Sequence, residues 1–411
     1  MQIPAQRKIN IFFAAVASMV VVCAPAQAQG PVPETSAFQD WLDGFRAEAL
    51  AAGINAQTID NAFATVELNQ RVFELNDNQP EFSRSIWDYL DSAVSETRIA
   101  NGKNGYAENR LLLQNIESAY GVDASIMVAI WGLESSYGAI LGNHDTISAL
   151  ATLAWKGRRT GYGRSQLIGA LKILQNGYAS RAQLKGSWAG AMGQTQFIPT
   201  TYLSYAVDHD GDGVRDLWSN LGDVFASTAN YLSASKYAAG YKWGTEVTLP
   251  AGFDYALAGT GYRKPVAEWA ASGVSGAAGS LIGSIDPNLR GRIIVPAGAS
   301  GPAFIVFENF EAILKYNRST SYALAVGMLS DQIAGRAVPL KKSWPREDRA
   351  LSLQERKNLQ QALLDRGFAP GPIDGVVGAG TKRALRAWQK TQGLPADGYA
   401  SSTVLQKLLA S

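Results

Sequence analysis

Residues Gly121–Gly138 read GVDASIMVAIWGLESSYG. From Ala124 to Leu133 scarcely a polar side chain appears on any face, and a helix that is apolar around its whole circumference is one buried on all sides. Glu134 interrupts that run. An ionised carboxylate without a partner is costly in such surroundings, so the group is either paired or kept neutral for use as an acid. Its helical neighbours are Ile130, Trp131, Tyr137 and Gly138, and desolvation of this kind raises a carboxyl pKa toward the range a general acid needs. A glutamate satisfied by backbone or by a tyrosine hydroxyl is the structural alternative. Spacing alone does not separate the two.

Working outward, FQDWLDGFRAEALAAG, NRLLLQNIESAYG, SQLIGALKILQ and DVFASTANYLSASKYAAG place apolar residues three and four apart and mostly end near glycine. They predict helix packed on helix from about Ser36 to Tyr241. Between about Glu246 and Phe307 the texture turns to Gly, Ala, Ser and Pro with short β-branched runs, RIIVP and AFIVF, which predict a small strand-containing insertion. NFEAILKYNRSTSYALAVGMLSDQIAG then returns to helix. RAVPLKKSWPREDR, residues 336–349, reads as a linker, and 350–411 as a compact three-helix module. The fold class expected is mainly α (α+β), with one large, mostly helical domain over 36–335.

Length and composition agree with this division. At 411 residues the chain exceeds one ordinary core, and 46% apolar with 18% charged residues is a globular composition. Thirty-seven basic and 35 acidic residues nearly cancel, so no basic field points to a nucleic-acid partner. Two histidines, His144 and His209, leave no room for a histidine-rich zinc site and argue against an ordinary Ser-His-Asp triad. Arg7 and Lys8, the apolar run Ile11–Cys23 and the ending Ala26-Gln27-Ala28 describe a secretory signal over 1–28. Removing it takes away Cys23, the only cysteine. Lipid attachment at Cys23 is the rival reading, against which Val22 counts, because that processing favours a small residue there. No stable membrane span is expected in the rest of the chain.

Three further clusters carry chemistry. Gly186–Tyr202, GSWAGAMGQTQFIPTTY, mixes glycines that allow close backbone approach with Ser187, Gln194 and Gln196 as neutral hydrogen-bonding groups, a mixture that suits a sugar. A glycine-rich turn between core helices is its structural alternative. Asp208-His209-Asp210-Gly211-Asp212-Gly213-Val214-Arg215-Asp216 resembles the first half of a calcium loop, with Asp208, Asp210, Asp212 and the Val214 carbonyl as ligands. Ser219 occupies the place of that loop's closing glutamate, and Asp216 and Asp223 are the substitutes; a solvated turn held by aspartate hydrogen bonds is the alternative. The C-terminal module repeats Asp-Gly at Asp374-Gly375 and Asp397-Gly398, which are turn features, while Arg383, Arg386 and Lys390 form a basic face of the commonly solvated kind.

Taken in order, WGLESSYG, GSWAGAMGQTQFIPTTY, DHDGDGVRDLW, STANYL and NFEAILKYNRSTSYALAV resemble the lytic murein transglycosylase B family over about Ser36 to Leu329, and DGVVGAGTKRALRAWQKTQGLPADG is similar to a small peptidoglycan-binding module. The resemblance implies a goose-lysozyme-like helical cleft in which Glu134 matches the family's single acid. That acid cleaves the bond between N-acetylmuramic acid and N-acetylglucosamine without water, leaving a 1,6-anhydro end. By the same pattern Ser187 would hydrogen-bond Glu134 or the substrate acetamide, and Gln196 would contact the substrate. Tyr231, Tyr316, Asn317, Tyr322 and Tyr89 would line the cleft. It implies no required cofactor, with a structural calcium at the aspartate loop as an option and not a requirement, peptidoglycan glycan strands as the partner, and a periplasmic site of action. Other cell-wall enzymes stay open as partners, and a monomer is expected. A water-using muramidase and a non-catalytic wall-binding scaffold are the competing readings; an otherwise whole motif around Glu134 weighs against the scaffold.

Overall fold

The computed structural model describes residues 33–77, 84–259, 261–277 and 285–411. The signal-like segment 1–28 lies outside them. In chain order the described elements are helices α1 (Pro33–Ala51), α2 (Ala56–Phe63), α3 (Gln70–Asp77), α4 (Ile86–Ala93), α5 (Glu96–Glu108), α6 (Arg110–Tyr120) and α7 (Ala124–Ser135), then strand β1 (His144–Asp145), α8 (Thr146–Trp155), α9 (Thr160–Gln175), β2 (Lys185–Gly186), α10 (Pro199–Tyr205) and α11 (Leu221–Ala234). There follow β3 (Gly244–Thr248), β4 (Lys264–Pro265), α12 (Val266–Ala271), β5 (Ser275–Gly276), β6 (Arg290–Ile294), β7 (Ala303–Val306), α13 (Glu308–Tyr316), α14 (Thr320–Ile333), α15 (Leu353–Asp365), α16 (Ala379–Thr391) and α17 (Ser402–Ala410). The chain is mainly helical, as its periodicity predicts.

Two compact units divide it: the described residues of Ala14–Gln79 with Ala100–Ser235, and those of Pro80–Ile99 with Lys236–Ser411. The first is built on α7, of which every residue except Glu134 is buried. Helix α8 is nearly as enclosed, and it packs so closely on α9 that a side chain at Gly163 would meet the Ala154 nitrogen at 2.3 Å. Aspartates start both buried helices: Asp123 accepts the Ser125 N–H and Asp145 the Ser148 N–H.

The second unit contains the strand insertion. Its sheet has the order β4-β6-β7-β3-β5 with every pairing antiparallel, and the runs RIIVP and AFIVF supply β6 and β7. Trp269, Val247, Ile293, Ile305 and Phe307 fill its core, the Trp269 indole donating to the Gly291 carbonyl. The helical stretch that follows breaks between α13 and α14, where the Asn317 side chain accepts the Ser319 N–H and the Ser319 hydroxyl accepts the Tyr322 N–H. That local turn wins over the continuous apolar period.

Residues 336–349 carry no helix or strand but are held at several points. The Glu246 carboxylate accepts the N–H groups of Lys341 and Lys342, Trp344 stacks on Phe304, and Arg346 grips Asp91 with both guanidinium nitrogens. The last three helices close around Leu359, Leu363, Leu385, Trp388 and Leu408. A capping box of Ser352 and Glu355 opens α15, and Arg349 with Ser352 holds the Glu355 carboxyl down at about 2. Among the described residues no helix is long and apolar enough to cross a membrane.

Candidate active site

Glu134 occupies the last turn of α7, partly exposed at the end of a helix whose other side chains are all enclosed. The all-round apolar surface therefore serves to bury the helix and deliver one carboxylate to its rim. Directly after it the backbone reverses through three left-handed residues, Ser136 (φ 50°), Tyr137 (φ 61°) and Gly138 (φ 83°). Such conformations are unfavourable for residues other than glycine and persist only where the surroundings enforce them. Here the Ser135 hydroxyl donates to the Trp131 carbonyl and accepts the Gly138 N–H, and Ile140 N–H returns to the Ser135 carbonyl. The Tyr137 ring folds back edge-on to Trp131 with centroids 5.2 Å apart. It lies where a side chain on Gly132 would stand, about 2.5 Å from the ring. Gly132 is thus the gap that lets the reversal close.

The glycine-rich loop packs against this turn. Strand β1 pairs with β2 so that His144 faces Gly186, and a side chain on Gly142 would strike the Gly186 carbonyl at 2.2 Å and the Ser187 nitrogen at 2.8 Å. Ser187 closes the loop on itself: its N–H donates to the Ala191 carbonyl and its hydroxyl oxygen accepts the Ala191 N–H at 3.0 Å. Gln196, itself left-handed at φ 52°, donates through Nε2 to the Leu141 and Gly193 carbonyls, tying the loop to the chain that leaves Glu134. Tyr231 of α11 completes this side, its ring 5.7 Å from Phe197 and 4.9 Å from Tyr205. Glu134, Ser187, Gln196 and Tyr231 therefore belong to one unit, and the first three share one packed turn-and-loop assembly. The solvent groove along α9 between Glu48, Arg164, Lys172 and Leu203 contains none of them.

Two positioning residues stand out beyond the catalytic set read from sequence. Gln194 is buried and accepts the Trp131 indole N–H at 2.6 Å, while its Nε2 donates to the Trp218 carbonyl at 2.8 Å. It bolts α7, the glycine loop and the aspartate loop together. Tyr162 of α9 donates to the Ala189 carbonyl at 2.8 Å, and burial pushes its phenol well above the ordinary value. Gln194 stands inside a legible motif, whereas nothing local marks Tyr162.

The remaining expected residues lie in the other unit. Tyr89 is on α4 and Tyr316 ends α13, both partly exposed. Asn317 is 2% exposed, with its side-chain oxygen given to the Ser319 N–H, and Tyr322 is 1% exposed in the first turn of α14. Asn309, buried in α13, fastens that helix by accepting the Ala238 N–H and donating to the carbonyls of Ala238 and Tyr241.

In the aspartate loop one oxygen from each of Asp208, Asp210 and Asp212 lies within 4.8 Å of the others. Against the desolvation that would raise it, N–H groups of Gly213, Gly211 and Asp212 hold the Asp208 carboxyl below its usual range. The Val214 N–H donates to Asp212. Asp223 makes a different set of contacts. It is fully buried in the first turn of α11 and accepts the N–H of His209 on one oxygen and of Asp216 on the other, clasping the loop at both ends from inside. Burial raises its carboxyl despite those two donors.

A buried helix with one partly exposed carboxyl group, followed by a turn packed on a glycine-rich polar loop, suits a lysozyme-like glycan-cleaving unit. Comparison with known proteins agrees. The family model described as Transglycosylase SLT domain matches residues 37–331, and the peptidoglycan binding domain model matches 352–408. The chain belongs to the SLT-domain lytic transglycosylase family. It is 30% identical over 297 residues to membrane-bound lytic murein transglycosylase B of Escherichia coli, covering 69% of this chain and 79% of that one. It superposes with a TM-score of 0.88 and 50% identity on SltB3 from Pseudomonas aeruginosa in complex with NAG-anhNAM-pentapeptide, over 90% of this chain and 99% of that one. The E. coli lytic transglycosylase Slt35 in complex with calcium matches with a TM-score of 0.62 and 27% identity, over 74% and 94%.

Proposed function

We propose that this protein is an exported lytic transglycosylase that cleaves the MurNAc–GlcNAc β-1,4 bond of peptidoglycan in cell-wall turnover, working in the periplasm. The observation that carries the reading is Glu134: the one side chain of α7 that is not buried is a carboxyl group, and the chain leaving it packs at Gly142 on the backbone of Gly186 and Ser187. At the carbonyl end of a helix the backbone dipole disfavours added negative charge, which suits a group that must arrive with its proton. Glu134 gives that proton to the glycosidic oxygen as the C1–O bond breaks. The resulting carboxylate then takes the proton of the muramic acid C6 hydroxyl, O6 bonds to C1, and the acid is restored with no water consumed. The substrate's acetamide shares the positive charge at C1, so a second protein carboxylate is not needed. Ser187 has a hydroxyl proton available for Glu134 or that acetamide. Gln196 and Tyr231 are assigned to the glycan beside Glu134, and Tyr89, Tyr316, Asn317 and Tyr322 are assigned to substrate binding by the family pattern alone. The module over 352–408 holds the wall.

Asp208, Asp210 and Asp212 fit a hard divalent cation, since three carboxylates gather on a loop already shaped by their own backbone hydrogen bonds. With the Val214 carbonyl they would hold calcium as a structural ion. Calcium should then raise the melting temperature, and Asp208→Asn with Asp212→Asn should remove that response.

The test is digestion of purified sacculi with mass spectrometry of the released muropeptides. Glu134→Gln keeps side-chain shape and removes the transferable proton, so release should vanish while folding and wall binding stay. Normal release by this variant would refute the assignment.

A further inference from the structure

The C-terminal module contains the same device twice. In the first half, Gln360 donates to the Asp374 carboxylate at 3.3 Å and accepts the Gly375 N–H at 2.8 Å, while Asp374 accepts the Val376 N–H. In the second, Gln389 donates to Asp397 at 2.8 Å and accepts the Gly398 N–H at 2.8 Å, while Asp397 accepts the Tyr399 N–H. Gly375 and Gly398 take the left-handed turn at φ 79° and 69°. Asp374-Gly375-Val376 and Asp397-Gly398-Tyr399 are therefore equivalent loops.

Their outward faces differ. The second loop is occupied by the protein itself. The other oxygen of Asp397 accepts the Ala299 N–H at 2.7 Å, and Gly298 comes so near that a side chain there would meet Asp397 at 2.5 Å and Tyr399 at 2.7 Å. Nearby, Asp348 accepts from the Ser402 hydroxyl and the Thr403 N–H. Burial in this contact pushes the Tyr399 phenol up to about 12. The first loop is open. Val376 is 65% exposed and Leu353 53%, and a side chain on Gly375 would meet the Leu353 methyl at 2.5 Å and the Lys357 stem at 3.4 Å, so both cover the same turn. Asp374 is exposed, and Lys357 lies close enough to stabilise its charge.

Resting on the reading that this module holds the wall, we propose that Leu353, Lys357, Asp374 and Val376 form its ligand-binding surface, and that the ligand is the stem peptide of peptidoglycan. The chemistry selects peptide over glycan. A carboxylate and an ammonium set beside two apolar side chains complement a short peptide that carries an amine, carboxylates and methyl groups. Sugar faces favour aromatic rings, and these four residues offer none.

Hydrogen–deuterium exchange on the full-length Glu134→Gln protein tests this, with two probes: soluble peptidoglycan strands bearing stem peptides, and the same strands stripped of peptide by an amidase. Peptide-bearing strands should protect 353–357 and 374–376, and stripped strands should not. Protection elsewhere in the module, such as along 383–390, or equal protection by stripped strands, overturns this surface while leaving the wall-holding role intact. No protection anywhere in 352–408 overturns both. As a second readout, Lys357→Glu with Val376→Asp, both at exposed or half-exposed sites, should lower sacculus affinity about tenfold with melting unchanged, the loss expected for central contact residues; unchanged affinity contradicts the assignment.

Discussion

Glu134 and Asp145 are carboxylates of neighbouring buried helices in one unit, placed at opposite ends. Asp145 caps the start of α8, accepting the Ser148 N–H at 2.7 Å and a two-nitrogen grip from Arg181. Burial alone would raise its carboxyl, yet Arg181 and Ser148 outweigh burial and hold it below the usual range. Glu134 stands at the end of α7, where the unpaired groups of the helix are carbonyls. Asp145 is held by the fold as a fixed anion, whereas Glu134 stands partly exposed at the rim of its helix. On the proposed function, the helix end, more than the burial of the helix, separates structural from chemical use.

Substitutions at the two positions should come apart. Glu134→Gln should lower kcat by about 10²–10⁴, the usual worth of a positioned general acid, with the unfolding midpoint unchanged. Next in size is Gln194→Leu, which strands the Trp131 indole N–H and the Trp218 carbonyl; each buried group left unpaired costs about 1–3 kcal/mol, read by urea unfolding. Asp145→Ala should cost about 1–2 kcal/mol as a lost helix cap and leave kcat near normal. Because Asp145 is depressed in the folded state, its contribution is present above its unfolded value near about 4 and is lost as pH falls through the folded one. The wild-type midpoint should therefore drop on acidification more than that of Asp145→Ala; parallel curves would break the comparison. Smallest is Tyr162→Phe, about 1 kcal/mol for one hydrogen bond to Ala189, with the glycine loop loosened enough to raise KM more than it lowers kcat.

The sequence carried the helical class, the strand insertion and the three-helix module, because those depend on period and on turn residues. It also singled out Glu134, since a carboxylate in an unbroken apolar run is conspicuous without any partner being known. Long-range partners were not legible. Nothing near Gln194 announces Trp131, and nothing near Tyr162 announces Ala189. Asp223 looked like a substitute ligand because spacing shows acidity and not direction; it faces inward toward the N–H groups of His209 and Asp216. Polar, proline-bearing composition suggested a linker over 336–349, but Glu246, Phe304 and Asp91 hold that stretch from positions distant in the chain.

The central claim is that Glu134 moves one proton out and one back without admitting water to the anomeric carbon. Digesting sacculi in ¹⁸O-labelled water and weighing the new muramic acid ends reads this directly. The account predicts 1,6-anhydro ends carrying no label; reducing ends that have gained ¹⁸O would show a hydrolase and contradict it.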